Sequence, residues 1–92
     1  MLRTEHDTMT NDTAPTEVLD VKGESCPMPV VKTKQAVDGL ASGDLLEVLA
    51  TDNGSVSDIA GWADGTPGVT LEDQSEREEA GETVYVHQVR VA

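Results

Sequence analysis

Residues 18–51, VLDVKGESCPMPVVKTKQAVDGLASGDLLEVLAT, decide the fold. Val18-Leu19-Asp20-Val21 is a short apolar run closed by Lys22-Gly23, the pattern of a strand with a turn behind it. Beyond Ser25-Cys26-Pro27-Met28-Pro29 the period changes. Val30, Thr33, Val37, Leu40 and Ala41 recur at three- and four-residue spacing, with Lys32, Lys34, Gln35 and Asp38 between them, which predicts an amphipathic helix. Ser42-Gly43-Asp44 is the predicted stop. Leu45 to Thr51 is a near-continuous apolar run with one Glu, as expected of a mostly buried strand.

Working outward, Asp52-Asn53-Gly54-Ser55 turns the chain and offers caps for a second, short helix holding Val56, Ile59, Ala60 and Trp62. Gly61 weakens that helix and Gly65-Thr66-Pro67-Gly68 ends it. A third strand begins at Val69-Thr70-Leu71-Glu72, and Thr83 to Val91 forms a fourth. The segment between, through Glu76 and Glu82, reads as a hairpin connection or as frayed strand ends. In the fourth strand the alternation Val84, Val86 changes phase to Val89, Val91 at His87-Gln88, which calls for a β-bulge there or for burial on both faces. The order strand, helix, strand, helix, strand, strand predicts an α+β fold. It is a two-layer βαβαββ sandwich with two helices on one face of a four-stranded mixed sheet. Residues 1–16 lack apolar periodicity and read as a disordered tail, with Met9 an alternative translation start; residues 17–92 form the domain.

Composition narrows the function. Six Lys and Arg against 18 Asp and Glu give a net charge of −12, which argues against direct binding to nucleic acid or an anionic membrane. With one Trp, one Tyr and no Phe, the core must be small and built from Val, Leu and Ala. A single cysteine excludes an internal disulfide, a Cys-x-x-Cys redox pair and a cysteine-built zinc site, so no metal or other cofactor is expected. That count, and a polar N-terminus where a signal peptide would be apolar, predict a cytoplasmic protein.

Cys26 is the candidate reactive residue. Pro27 and Pro29 frame it at a strand-to-helix junction, and residues preceding proline are driven out of helical geometry, so a stiff, projecting thiol is expected near the N-cap. The positive helix end and Lys22, Lys32 and Lys34 are expected to favour thiolate. Residues 18–40 are neutral, three lysines against Asp20, Glu24 and Asp38, whereas residues 41–92 set two arginines against eleven acids, a net −9. His87 reads as a sheet residue, Trp62 as a core anchor and the Glu72–Glu82 acids as solvated surface.

Leu19-Asp20-x-x-Gly23-x-x-Cys26-Pro27-x-Pro29 resembles the TusA/SirA family of small sulfur-carrier proteins. Gly43-Asp44-x-Leu46-x-Val48-x-Ala50-Thr51-Asp52 and Asp58-Ile59-x-x-Trp62 extend the likeness, which covers residues 18–91. The resemblance implies the βαβαββ fold and a persulfide relay: Cys26 takes sulfane sulfur from a cysteine desulfurase or rhodanese-like donor and passes it to a downstream acceptor protein; a monomer is expected, although the sequence does not itself reveal the oligomeric state. It also implies positioning roles for Gly23, Pro27 and Pro29, and partner docking at Lys34 and Asp52. The sequence departs from many relatives at Met28, where an acid is frequent and which flanks the thiol, at Asn53, and at Ala63, where a second cysteine is common. Its acidity resembles that of proteins from high-salt cytoplasm. Two other classes compete, a thiol-based redox sensor or thioltransferase, and a regulatory interaction module to which Cys26 is incidental.

Overall fold

The computed structural model describes residues 15–92, so most of the expected tail lies outside the described residues. Six elements follow one another: β1 (Glu17–Val21), α1 (Met28–Asp38), β2 (Leu45–Ala50), α2 (Ser55–Asp64), β3 (Val69–Glu79) and β4 (Glu82–Val91). They form one four-stranded sheet in the order β1-β2-β4-β3. β1 and β2 are parallel, while β4 runs antiparallel to both β2 and β3, so the sheet is mixed, as the element order predicts. Thr16 is already tied to the sheet: its N–H donates to the Leu45 carbonyl at 2.7 Å, and its Oγ1 accepts the Leu45 N–H at 3.1 Å.

The core explains the two-layer form. Val21, Leu46, Val48, Ala50 and Val89 point from the sheet towards Ile59 of α2, and Val30, Ala36, Val37 and Trp62 pack around them from the two helices. Burying each large aliphatic side chain contributes about 1.5–3 kcal/mol. Thr33 is also fully buried, and its hydroxyl donates to the Pro29 carbonyl one turn back at 2.7 Å, so the polar group is not left unpaired. α1 ends earlier than its periodicity predicts, at Asp38 with Gly39 as C-cap; Leu40 lies beyond it but still packs on the core. α2 takes Gly54 as N-cap with no side-chain cap, because Ser55 is buried and turned to His87 instead.

The phase change in β4 comes from burial on both faces. Register sets Leu46 opposite Val89 and Val48 opposite His87 on the helix side, and Leu49 opposite Val86 on the other side. There Leu49, Val84 and Val86 make a second apolar cluster. The bulge lies one strand away, between Leu71 and Asp73 of β3. Glu72, the extra residue, reaches Arg90, whose Nε and Nη2 donate to its two oxygens at 2.9 and 3.2 Å. β3 and β4 continue to Glu79 and Glu82, leaving only Ala80-Gly81 as the turn, both at positive φ (52° and 81°). The expected hairpin therefore forms, with no frayed ends.

Candidate functional site

The parallel β1–β2 pairing builds the site. Val21 lies opposite Ala50, so the chain leaves both strands side by side at the same edge of the sheet. The residue 22–27 loop therefore meets the residue 51–54 loop, and both helices start at this edge. Gly23, at φ 85°, donates its N–H to Thr51 Oγ1 at 2.9 Å. That backbone conformation strains any residue carrying a Cβ. Glu24 N–H returns to the Val21 carbonyl at 3.1 Å, closing the turn. Pro27 is the N-cap of α1, and the N–H groups of Val30 and Val31 both donate to its carbonyl at 3.1 Å. Cys26 thus stands one residue outside the helix, joined to Pro27 by a cis peptide bond, and it is exposed.

Two carboxylates hold it. The Cys26 N–H donates to Asp52 Oδ2 at 2.9 Å, and the Sγ–H donates to Asp58 Oδ2 at 2.8 Å. Asp52 Oδ1 accepts the Gly54 N–H at 3.3 Å, so one side chain laces both loops together. The hydrogen bond to Asp58 raises the thiol above its ordinary range, helped by partial desolvation and by the negative charges of Asp58 and Asp52. This corrects the expectation of a favoured thiolate. A helix end supplies about half a unit charge, whereas each of two carboxylates supplies a whole one. Two of the three lysines are also occupied: Lys22 pairs with Glu79 at 3.3 Å and lies 3.9 Å from Asp20, and Lys32 pairs with Glu24.

Of the other sequence candidates, Met28 beside the thiol is 38% exposed, an apolar side chain free to meet another surface, while Pro29, in the first turn of α1, is buried. Asp52 joins Cys26 directly. Lys34 is exposed, about 9 Å further along α1 than Met28, and has no ion pair among the described residues. Asp58 is the residue that sequence reading left without a role. An acid in a helix's first turn reads as an ordinary partner of the helix end, and only the strand pairing shows that it faces the thiol. Ala63 is buried at the far end of α2.

His87 is remote in role. It is fully buried, with Nε2 at 3.1 Å from Ser55 Oγ and Nδ1 at 3.0 Å from Gln74 Nε2. The amide nitrogen can only donate, so Nδ1 accepts and the neutral ring carries its hydrogen on Nε2. An open depression of about 580 Å³ between the end of α2 and the start of β3 is lined by Ala60, Ala63, Thr66 and Leu71 and includes neither Cys26 nor Asp58. Among the described residues no helix is long and apolar enough to cross a membrane.

The arrangement presents one exposed thiol at the junction of two loops, with acids beneath it. Known proteins are similar to this chain in sequence and in fold. A Halobacterium salinarum protein named as a candidate sulfur carrier is 68% identical over 75 residues, covering 82% of this chain and 88% of that one. The sulfur carrier protein TusA of Allochromatium vinosum is 38% identical over 58 residues, covering 63% of this chain and 76% of its own. The crystal structure of a SirA-like protein from Desulfitobacterium hafniense superposes with a TM-score of 0.61 at 26% identity, covering 84% of this chain and 97% of that one. The family model described as Sulfurtransferase TusA matches residues 17–89, and the chain belongs to that family.

Proposed function

We propose that this protein is a sulfur carrier that holds sulfane sulfur as a persulfide on Cys26, received from a cysteine desulfurase or rhodanese-like donor and delivered to a downstream acceptor protein. The observation that carries the reading is the sole cysteine, exposed ahead of α1, within a chain of the TusA family. The Cys26 thiolate attacks the terminal sulfur of a donor persulfide, R–S–SH. A new S–S bond forms on Sγ, the donor S–S bond breaks, and R–S⁻ leaves and takes up a proton. Delivery repeats the exchange with Cys26 as leaving group. No second cysteine exists to displace the sulfur as sulfide. Gly23, Pro27 and Pro29 shape the loop, and Met28, Lys34 and Asp52 form the docking surface.

The net charge of −12 favours a protein intermediary over direct contact with nucleic acid, and fits a cytoplasm rich in salt. The test is sulfur uptake from a cysteine desulfurase with cysteine, or from inorganic polysulfide, read by mass spectrometry. Wild type gains one sulfur and Cys26→Ser gains none, with stability unchanged within about 0.5 kcal/mol because the side chain is exposed. Equal uptake by the variant would sink the reading.

A further inference from the structure

We propose that Asp58 is a positioning residue that holds Cys26 as a protonated thiol in the free carrier, and that a cationic side chain of the docking donor releases it. The inference rests on the sulfur-carrier reading and deepens it. Three observations lead to it. The Sγ–H points at Asp58 Oδ2 at 2.8 Å, a contact that binds the thiol and would repel the thiolate. The second carboxylate, Asp52, is fixed by the Cys26 and Gly54 N–H groups, so it cannot swing away without opening both loops. The nearby cations of this chain are directed elsewhere, Lys22 to Asp20 and Glu79 and Lys32 to Glu24. No side-chain cation among the described residues pairs with either acid at the thiol, and the helix ends there carry only partial charge.

Sulfur exchange nevertheless needs the thiolate. A lysine or arginine brought in by the donor would ion-pair with Asp58, replace the Sγ–H contact and stabilise the thiolate beside it. The Sγ proton passes to solvent, Sγ attacks the terminal sulfur of the donor persulfide, and the donor thiolate departs. The free carrier is thereby kept unreactive towards wrong electrophiles, and charge complementarity at the thiol selects the partner.

The experiment compares wild type, Asp58→Asn and Asp58→Glu in two assays. In the first, Cys26 alkylation by iodoacetamide is followed from pH 6 to 10. Asp58→Asn should move the midpoint down and raise the rate near neutral pH several-fold, with Asp58→Glu restoring much of the wild-type profile. In the second, sulfur transfer from a cysteine desulfurase should fall in Asp58→Asn and lose much of its salt dependence. An alkylation profile unchanged in Asp58→Asn overturns the proposal, and so does a rise in both assays together. Uptake of sulfur from polysulfide by wild type is measured in parallel: its absence would refute the carrier reading itself, whereas its presence with an unchanged alkylation profile refutes only the role of Asp58.

Discussion

At the scale of single residues the molecule sets two polar side chains in opposite situations. Cys26 is exposed and hydrogen-bonded to an acid, while His87 is sealed in the core and neutral. Burial pushes the His87 imidazole down from 6.5 to about 4. The sign follows: between these values the unfolded chain binds the proton and the folded one does not, so stability is complete above about pH 6.5 and falls as pH drops towards 4. The full span corresponds to about 3 kcal/mol. Below it both states are protonated and the loss stops growing. Because acidification also relieves repulsion among the many carboxylates, the measurement is the difference in urea-unfolding free energy between wild type and His87→Gln at each pH. That difference should shrink from pH 7 to pH 4, and a constant offset would refute the assignment. Residue identity alone left much of this open. The exposed placement of Cys26 ahead of α1 was legible from Pro27 and Pro29, but its hydrogen-bonding partner was not, since Asp58 is distant in the chain and meets it only through the sheet.

At the scale of elements, the helices and strands were read from period, and their ends depended on local backbone chemistry. α1 stops at Gly39, before the apolar spacing ends, because Leu40 reaches the core from outside the helix. The β3–β4 connection was ambiguous for a related reason. Glu76, Glu78, Glu79 and Glu82 look like loop, yet they sit on a twisted hairpin arm where cross-strand pairing, not burial, keeps them extended. Its turn contains the one non-glycine residue at positive φ among the described residues, Ala80 at 52°. An L-residue with a Cβ pays about 1 kcal/mol in that region, and Asn or Gly is preferred at the first position of such a two-residue turn. Ala80→Gly or Ala80→Asn should stabilise the protein by about 0.5–1 kcal/mol, read as an increased denaturation midpoint with unchanged m-value. A lower midpoint in both variants would contradict this account of the turn.

At the scale of the whole molecule, 18 acids on a 92-residue chain dominate long-range electrostatics. The screening length falls from about 10 Å at 0.1 M salt to about 3 Å at 1 M, so repulsion between separated carboxylates is largely removed in concentrated salt. The melting temperature should therefore rise from dilute buffer to molar KCl, and a flat dependence would remove surface repulsion as a determinant of stability. The layer architecture was legible because alternation of strand and helix patterns leaves few packings. The Leu49, Val84 and Val86 cluster on the far face was harder to see, because β4 alternates in two phases and either a kink or double-sided burial satisfies the same letters. The contact between Cys26 and Asp58 bridges 32 residues and exists only after the β1–α1–β2 unit has closed and α2 has docked. It belongs to the assembled fold alone, and a partly opened chain bears an unrestrained thiol. A small electrophile then meets the same exposed sulfur in two settings, hydrogen-bonded to an acid in the folded chain and released from it in an opened one, so the alkylation rate at a fixed pH differs between a finished copy and an incomplete one.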